Sequence, residues 1–412
     1  GRLIYHPTRE EKHFQVHPRN KYDHDAPLFR RPMFVGDFSL DGKRRFYHDK
    51  RNLHYISMDW QTSKKVDYDL NVAMDKMIRK NFEETKTEKL DRLLEWILQN
   101  LYKTNDFTVQ YSIIEIESQN GQIHITQTER IKRIVSIAVF IIIFTITFLL
   151  SHHSLSTDFV CFRGLLTQLL CTPYESKEGW IICATKFRDT IYLCAYETPE
   201  KQSQRENATE LQKTMSAWGY KFEQYMTDGS DPTKGVNENE EYCCVIRSRL
   251  ESHSLVYGAE VDGADPSTYK TPHSDLKSFV ELKTGKELVQ DRDYRALFKL
   301  MKWWSQSYLV GIPRVVCGFR NTDGKVHTLK TYDVEEMSSI AQDHWKPEIM
   351  LNFLNKFLEF VKTCVQVDDP EAVYKFQREC NGGDISCTYL GHDPQWAFMP
   401  KCWYQNVDTV PP

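Results

Sequence analysis

The chain has no excess of basic residues: 53 Lys and Arg face 57 Asp and Glu, a formal net charge of −4 over 412 residues. That excludes the broad cationic footprint by which many proteins hold nucleic acid non-specifically. A polyanion must therefore be held locally, by a small cluster such as Lys43, Arg44 and Arg45 or through metal ions. No C-x-x-C pair occurs. The eleven cysteines lack the spacing of a zinc site or a disulfide framework, and read as reduced thiols of a nuclear or cytoplasmic protein. His13 and His17 are four apart, as helical metal ligands are, but Pro18 follows and no Glu accompanies them, so they read as loop histidines. The N-terminus shows no signal-peptide pattern, and the start at Gly1 suggests a fragment. There is also no Gly/Ser linker and no strict repeat, so a chain that is 41% hydrophobic and 13% aromatic reads as one mixed α/β domain.

Long uncharged runs are scarce as well, with one exception. "IVSIAVFIIIFTITFLL" (134–150) carries no charge and follows "ERIKR". As a helix it spans roughly 26 Å, slightly short of the ~30 Å hydrocarbon core of a bilayer, with a basic flank that favours a cytoplasmic N-terminal side. Its Ile, Val, Phe and Thr content suits a buried strand equally well.

Periodicity organises the rest. Leu90, Leu93, Leu94, Ile97, Leu98 and Leu101 fall at helical spacing, as do Leu211, Met215, Trp218 and Phe222, and later Met350, Leu351, Leu354, Phe357, Leu358 and Val361. "GWIICATKFRDTIYLCAYET" (179–198) predicts two strands around Arg188-Asp189, and 314–332 predicts a hairpin turning at Asp323-Gly324. Between them, "LVYGAEVDG" (255–263) and "SFVELKT" (278–284) read as strands, followed by a helix from about Tyr294 to Tyr308.

Side chains alternate across a strand, so Glu281 and Lys283 share a face while Val280 and Leu282 point the other way. By the same rule Glu260 and Asp262 share a face of the preceding strand. If the two strands are neighbours the acids converge, and two negative charges ~4 Å apart repel by roughly 4 kcal/mol at an effective dielectric near 20. Lys283 offsets part of that, and a hard divalent cation is the natural partner for several carboxylates with no His or Cys nearby. Taken alone, Glu-x-Lys carries almost no information, because exposed strands often alternate charges, and Glu260 and Asp262 also fit an exposed strand end turning at Gly263. An Asp followed some twenty residues later by Glu-x-Lys is nevertheless the arrangement of the PD-(D/E)XK nucleases.

Three further features bear on the same face. Gly219 lies one turn before Glu223 and leaves space beside its carboxylate. Lys299, Lys302, Trp303 and Gln306 share a helix face that suits either phosphates or solvent. Arg163, in the apolar run "FVCFRGLL", needs an anionic partner if buried.

Together "FRGLLTQLLCTPYE" (162–175), "GYKFEQYM" (219–226), "GAEVDG" (258–263), "FVELKT" (279–284) and "KWWSQSYLVGIP" (302–313) resemble, in order and spacing, the DXO family of decapping exoribonucleases. The resemblance implies a single α/β domain with two mixed sheets flanked by helices around a PD-(D/E)XK nuclease-like core. It also implies removal of incomplete caps, 5′ triphosphates and NAD caps from RNA, with 5′–3′ exoribonuclease activity. It assigns Glu223, Glu260, Asp262 and Glu281, with the Leu282 main-chain carbonyl, to two Mg²⁺ or Mn²⁺ ions. Lys283 and Gln306 go to the attacking water and scissile phosphate, and Arg163 to substrate. The implied partners are RNA 5′ ends and, as with some fungal relatives, a nuclear 5′–3′ exoribonuclease. The rivals are a non-catalytic relative that binds RNA ends or a partner, and a membrane-anchored protein of unrelated role. Residues 105–156 depart from the family pattern. A true span there separates two parts of one domain, so they read as an insertion, an unspliced intron being one origin, rather than a working anchor.

Overall fold

The computed structural model describes residues 11–57, 65–102, 155–269, 276–286 and 294–409. The hydrophobic segment 134–150 lies outside them, as does the 105–156 stretch except for its last two residues. Among the described residues no helix is long and apolar enough to cross a membrane.

The strands are β1 (Lys12–Phe14), β2 (Phe29–Leu40), β3 (Phe46–Tyr47), β4 (Lys65–Asp69), β5 (Phe159–Phe162), β6 (Trp180–Phe187), β7 (Thr190–Tyr196), β8 (Glu241–Leu250), β9 (His253–Glu260), β10 (Gly263–Ala264), β11 (Phe279–Lys286), β12 (Arg314–Arg320), β13 (Lys325–Asp333), β14 (Val373–Arg378) and β15 (Ile385–Gly391). They form a ten-stranded sheet, β1-β15-β14-β6-β7-β5-β9-β8-β2-β3, and a five-stranded sheet, β10-β11-β12-β13-β4. Both sheets are mixed: β5 runs parallel to β7 and β9, and β11 parallel to β12, while the other ladders are antiparallel. The helices are α1 (Phe82–Thr85), α2 (Asp91–Ile97), α3 (Arg163–Cys171), α4 (Pro199–Glu206), α5 (Glu210–Met226), α6 (Tyr294–Val310), α7 (Val334–Ile340), α8 (Pro347–Cys364) and α9 (Lys401–Thr409).

Alternation along the strands sets the layers. Leu255, Tyr257 and Ala259 of β9 enter a core shared with α3, α6 and α8 and with Phe279, Val315 and Cys317 of the small sheet. Val256 enters a second core under α2 and α9, which also holds Leu155 at the end of the atypical stretch. On the far side of the small sheet Val280 and Leu282 pack against Trp218, Phe222 and Met226 of α5. Burying these side chains contributes about 1.5–3 kcal/mol for each large aliphatic or aromatic group, and each sheet is covered on both faces.

Two expectations change. Leu211 is 63% exposed, because the buried stripe of α5 starts at Met215 and centres on Trp218, which packs against Gly324 of the β12–β13 turn two helical turns beyond Leu211. And 255–263 is not one strand. β9 ends at Glu260 in the large sheet, and after Val261-Asp262 the chain joins the small sheet as β10, with Gly263 opposite Val280. The two acid motifs meet at the crossing between sheets rather than on neighbouring strands of one sheet.

Candidate active site at the joint between the sheets

Crossing from β9 to β10 swings Asp262 toward β11, where its Oδ2 accepts a 2.6 Å hydrogen bond from the Leu282 N–H. Glu281 and Lys283 share the face that alternation predicts, and Lys283 Nζ lies 2.6 Å from Glu281 Oε1 and 3.8 Å from Asp262 Oδ2. On the opposite side Arg163 opens α3 immediately after β5. Its position follows from packing: Phe162 pairs with Gly258, and a Cβ on that glycine would lie 2.8 Å from the Phe162 ring, so only glycine lets β5 seat Arg163 beside Glu260. Arg163 is 8% exposed and donates to the carbonyls of Gln306 at 3.1 Å and Glu260 at 3.2 Å, with Nη1 3.7 Å from Glu281 Oε2. The cation in an apolar run therefore finds its anion.

The acids fall into two electrostatic classes. Glu281 is 1% exposed, and burial alone would raise its pKa; Lys283 and Arg163 outweigh that and hold it below the usual carboxylate range. Lys283 is held above the usual lysine range by Glu281 and Asp262, against the opposing effect of burial. Glu223 is pushed well up by burial and by the charges of Asp262 and Glu260. Glu260 is pushed up to about 7 by burial, Glu241 and Asp262, and Asp262 to about 6 by burial and Glu281, against Lys283. The Glu260 side chain is open to solvent, yet it lies where two clefts meet, so low-dielectric walls reduce the screening of its neighbours' charges.

Two cavities flank Glu260, and both are also lined by Glu241. One, of about 190 Å³, is bounded by Glu223, Asp262, Glu240, His54 and Tyr220. The other, of about 630 Å³, is lined by Arg44, Lys80, Lys86, Lys89, Arg92 and Arg163, with Gln306 at its edge. An anionic ligand thus has a cationic chamber on one side of the acids and a carboxylate-lined one on the other. A Cβ on Gly219 would meet nothing within 4 Å, in keeping with the expected open space one turn before Glu223.

The chemistry of this donor set fits a divalent cation: burial and neighbouring carboxylates push three acids toward protonation, and Glu281 Oε2 is buried without a hydrogen-bond partner. Among the described residues no three His, Cys, Asp or Glu side chains are already gathered into a ligand shell, because Glu281 leans on Lys283 and Asp262 on the Leu282 amide.

Not every expected residue joins the site. Lys302 lines a separate cavity of about 280 Å³ with Gln168 and Glu175, Lys299 is exposed, and Trp303 packs near Tyr332, so Gln306 alone of that helix face reaches the acids' surroundings. The basic cluster also dissolves. Arg44 is drawn inward to Glu88 and Glu241, at 2.6 and 2.9 Å, while Arg45 pairs with Asp41, because nearby carboxylates lower the energy of each guanidinium more than a shared basic patch does. Glu241 and Lys80 carry no motif that marks them, and Lys221 lies within "GYKFEQYM" without being singled out there. Lys80 lies 2.6 Å from Glu241. Lys221 is fully buried, and its ammonium donates to Gln224 and to the carbonyls of Pro232 and Lys234, fixing the loop that walls the acidic cavity. All eleven cysteines are free thiols, as expected. His13 lies on the short strand β1 rather than in a loop.

Comparison with known proteins agrees with this fold. The sequence profile described as "RAI1 like PD-(D/E)XK nuclease" matches residues 30–404. The human decapping and exoribonuclease protein is 35% identical over 398 residues, covering 94% of this chain and 88% of its own. Two solved structures share the fold with TM-scores of 0.74. Candida albicans Rai1 in complex with pU5-Mn²⁺ is 16% identical, with 98% of this chain and 100% of that one covered. Scheffersomyces stipitis Rai1 in complex with (3′-NADP)⁺ and calcium ion is 18% identical, with 97% and 100% covered. By the extent of the profile match and the identity to the human protein, this chain belongs to the RAI1-like PD-(D/E)XK nuclease family.

Proposed function

We propose that the chain is a divalent-metal-dependent hydrolase of RNA 5′ ends, removing incomplete caps, 5′ triphosphates and NAD caps and then degrading RNA from 5′ to 3′ in mRNA quality control. The observation that carries this reading is the divided acid cluster: Glu281 ionised between Lys283 and Arg163, beside Glu223, Glu260 and Asp262, whose proton affinity is raised by burial and by neighbouring carboxylates. The names and ligands of the relatives support it, since they join decapping, an oligouridylate, a nicotinamide dinucleotide and divalent ions to this fold.

In this reading Glu223, Glu260, Asp262 and Glu281, with the Leu282 carbonyl, hold two Mg²⁺ or Mn²⁺ ions. Such ions, when bound, make water a nucleophile at neutral pH and offset the charge that develops on the phosphoryl oxygens. Lys283 stays protonated, being held above its usual range, and donates to the scissile phosphate or the attacking water. Gln306 orients the same groups from the edge of the cationic chamber, and Arg163 receives the substrate's phosphates while keeping Glu281 ionised. RNA 5′ ends place the protein in the nucleus, with the cytoplasm as a second location and a nuclear 5′–3′ exoribonuclease as a partner. Residues 105–156 are an insertion in this one domain.

The test is purified protein with Mg²⁺ or Mn²⁺ and RNAs bearing triphosphate, incomplete-cap, NAD-cap or monophosphate 5′ ends. Metal-dependent product from at least one end, lost in Asp262→Asn, is expected. Tight binding of these ends without product would instead establish the non-catalytic relative.

A further inference from the structure

At the far end of the strand that begins with Glu241 lies a second cationic hollow. β2 and β8 pair antiparallel with Arg30 directly opposite Arg249 and Met33 opposite Arg247. Residues two apart share a strand face, so Arg247 and Arg249 project on the same side as Glu241, with Arg249 eight residues or ~26 Å further along at ~3.3 Å per residue. Arg30, Arg31, Arg247 and Arg249 line one cavity of about 770 Å³ with Met33 and Ser254.

This arrangement is costly without a ligand. Like charges directly across a strand pair repel, and among the described residues Arg30 and Arg249 have no ion-pair partner. No carboxylate is among the described residues that line the cavity, and Asp158, which accepts from the lining Ser254, is paired with Lys362 at 2.8 Å. Four guanidiniums are gathered here in a chain whose net charge is −4. Guanidinium forks are the donors best matched to phosphate, and the step from Arg247 to Arg249, ~6.6 Å, suits successive phosphates of an extended single strand rather than one compact anion.

We propose that this groove is a second RNA-binding site, which takes the phosphates of the RNA body while the 5′ end occupies the acid cluster. The inference rests on the function proposed above, and it makes RNA length a determinant of affinity. The groove lies too far from the acids for a very short RNA to fill both sites.

The experiment compares the full-length protein with Arg30→Gln/Arg249→Gln, using 5′-triphosphorylated RNAs of about two and about thirty nucleotides. The wild type should favour the long RNA by roughly tenfold in kcat/KM. The double variant should lose that preference through KM while keeping its rate on the short RNA. Its salt dependence for the long RNA should flatten by about 1.4 in log–log slope, two phosphates' worth of released counterions. Arg30→Lys/Arg249→Lys should retain part of the preference. An unchanged long-to-short ratio, or an equal loss on both lengths, overturns the groove. So does unaltered RNA binding with lost capture of an acidic peptide, which would make the groove a protein-docking site. If the wild type hydrolyses neither RNA, the function reading fails, and fluorescence anisotropy with the same long RNA still tests the groove.

Discussion

The acid cluster has two halves built from the same kind of side chain in opposite settings. Glu281 is almost fully buried but ionised, because Lys283 and Arg163 close around it. Glu223, Glu260 and Asp262 keep more contact with solvent but hold protons more tightly, because burial is reinforced by nearby carboxylates: Asp262 and Glu260 beside Glu223, Glu241 and Asp262 beside Glu260, and Glu281 beside Asp262. Burial pushes every one of these carboxylates toward its proton, and the sign of the neighbouring charge decides whether that push is reversed, as at Glu281, or reinforced, as at Glu223 and Glu260. One half carries its own cations, and the other half lacks one.

The same charge-removing substitution should therefore act differently in each half. The largest effect is shared: Glu281→Gln and Glu223→Gln should each lower turnover on RNA 5′ ends by about 1000-fold, read as kcat under saturating substrate. Stability should then separate them. Glu281→Gln leaves Lys283 and Arg163 without their buried anion and should cost about 3–5 kcal/mol in urea unfolding. Glu223→Gln relieves repulsion, so the metal-free protein should lose none.

The dependence on pH should also differ in sign. Glu260 and Asp262 have folded pKa values raised to about 7 and about 6, so their contribution to metal-free stability is complete below the ordinary carboxylate range and is lost as pH rises through 6 and 7. The folded pKa of Glu281 is depressed, so its contribution is present above the ordinary range and is lost as pH falls through the depressed value. Thermal melts in chelator should decline between pH 5 and pH 8 for the wild type, and more weakly for Glu260→Gln. The smallest effect belongs to Gly219→Ala, whose added Cβ meets no neighbour and which should raise stability by up to about 1 kcal/mol in urea unfolding.

What the sequence could show depended on how local the cause was. The pairing of Glu281 with Lys283 follows from strand alternation within three residues, and the buried stripes of α2 and α8 follow from helical period. The placement of Glu260 and Asp262 does not. They were expected on one strand, whereas the chain leaves the large sheet between them and enters the small one, an event set by long-range packing. Glu241 had no motif at all and reaches Glu260 only because β8 pairs with β9. Arg44 looked like part of a surface cluster, and its burial against Glu88 and Glu241 depends on residues 44 and 197 positions away.

The central claim is that the open half of the acid cluster lacks a divalent cation which the paired half does not need. A thermal melt with and without Mn²⁺ at pH 8, on the wild type and on Glu223→Gln/Glu260→Gln, tests it most directly. The account predicts that Mn²⁺ raises the wild-type melting temperature by several degrees and leaves the double variant unmoved. No shift in the wild type, or the same shift in both proteins, would contradict it.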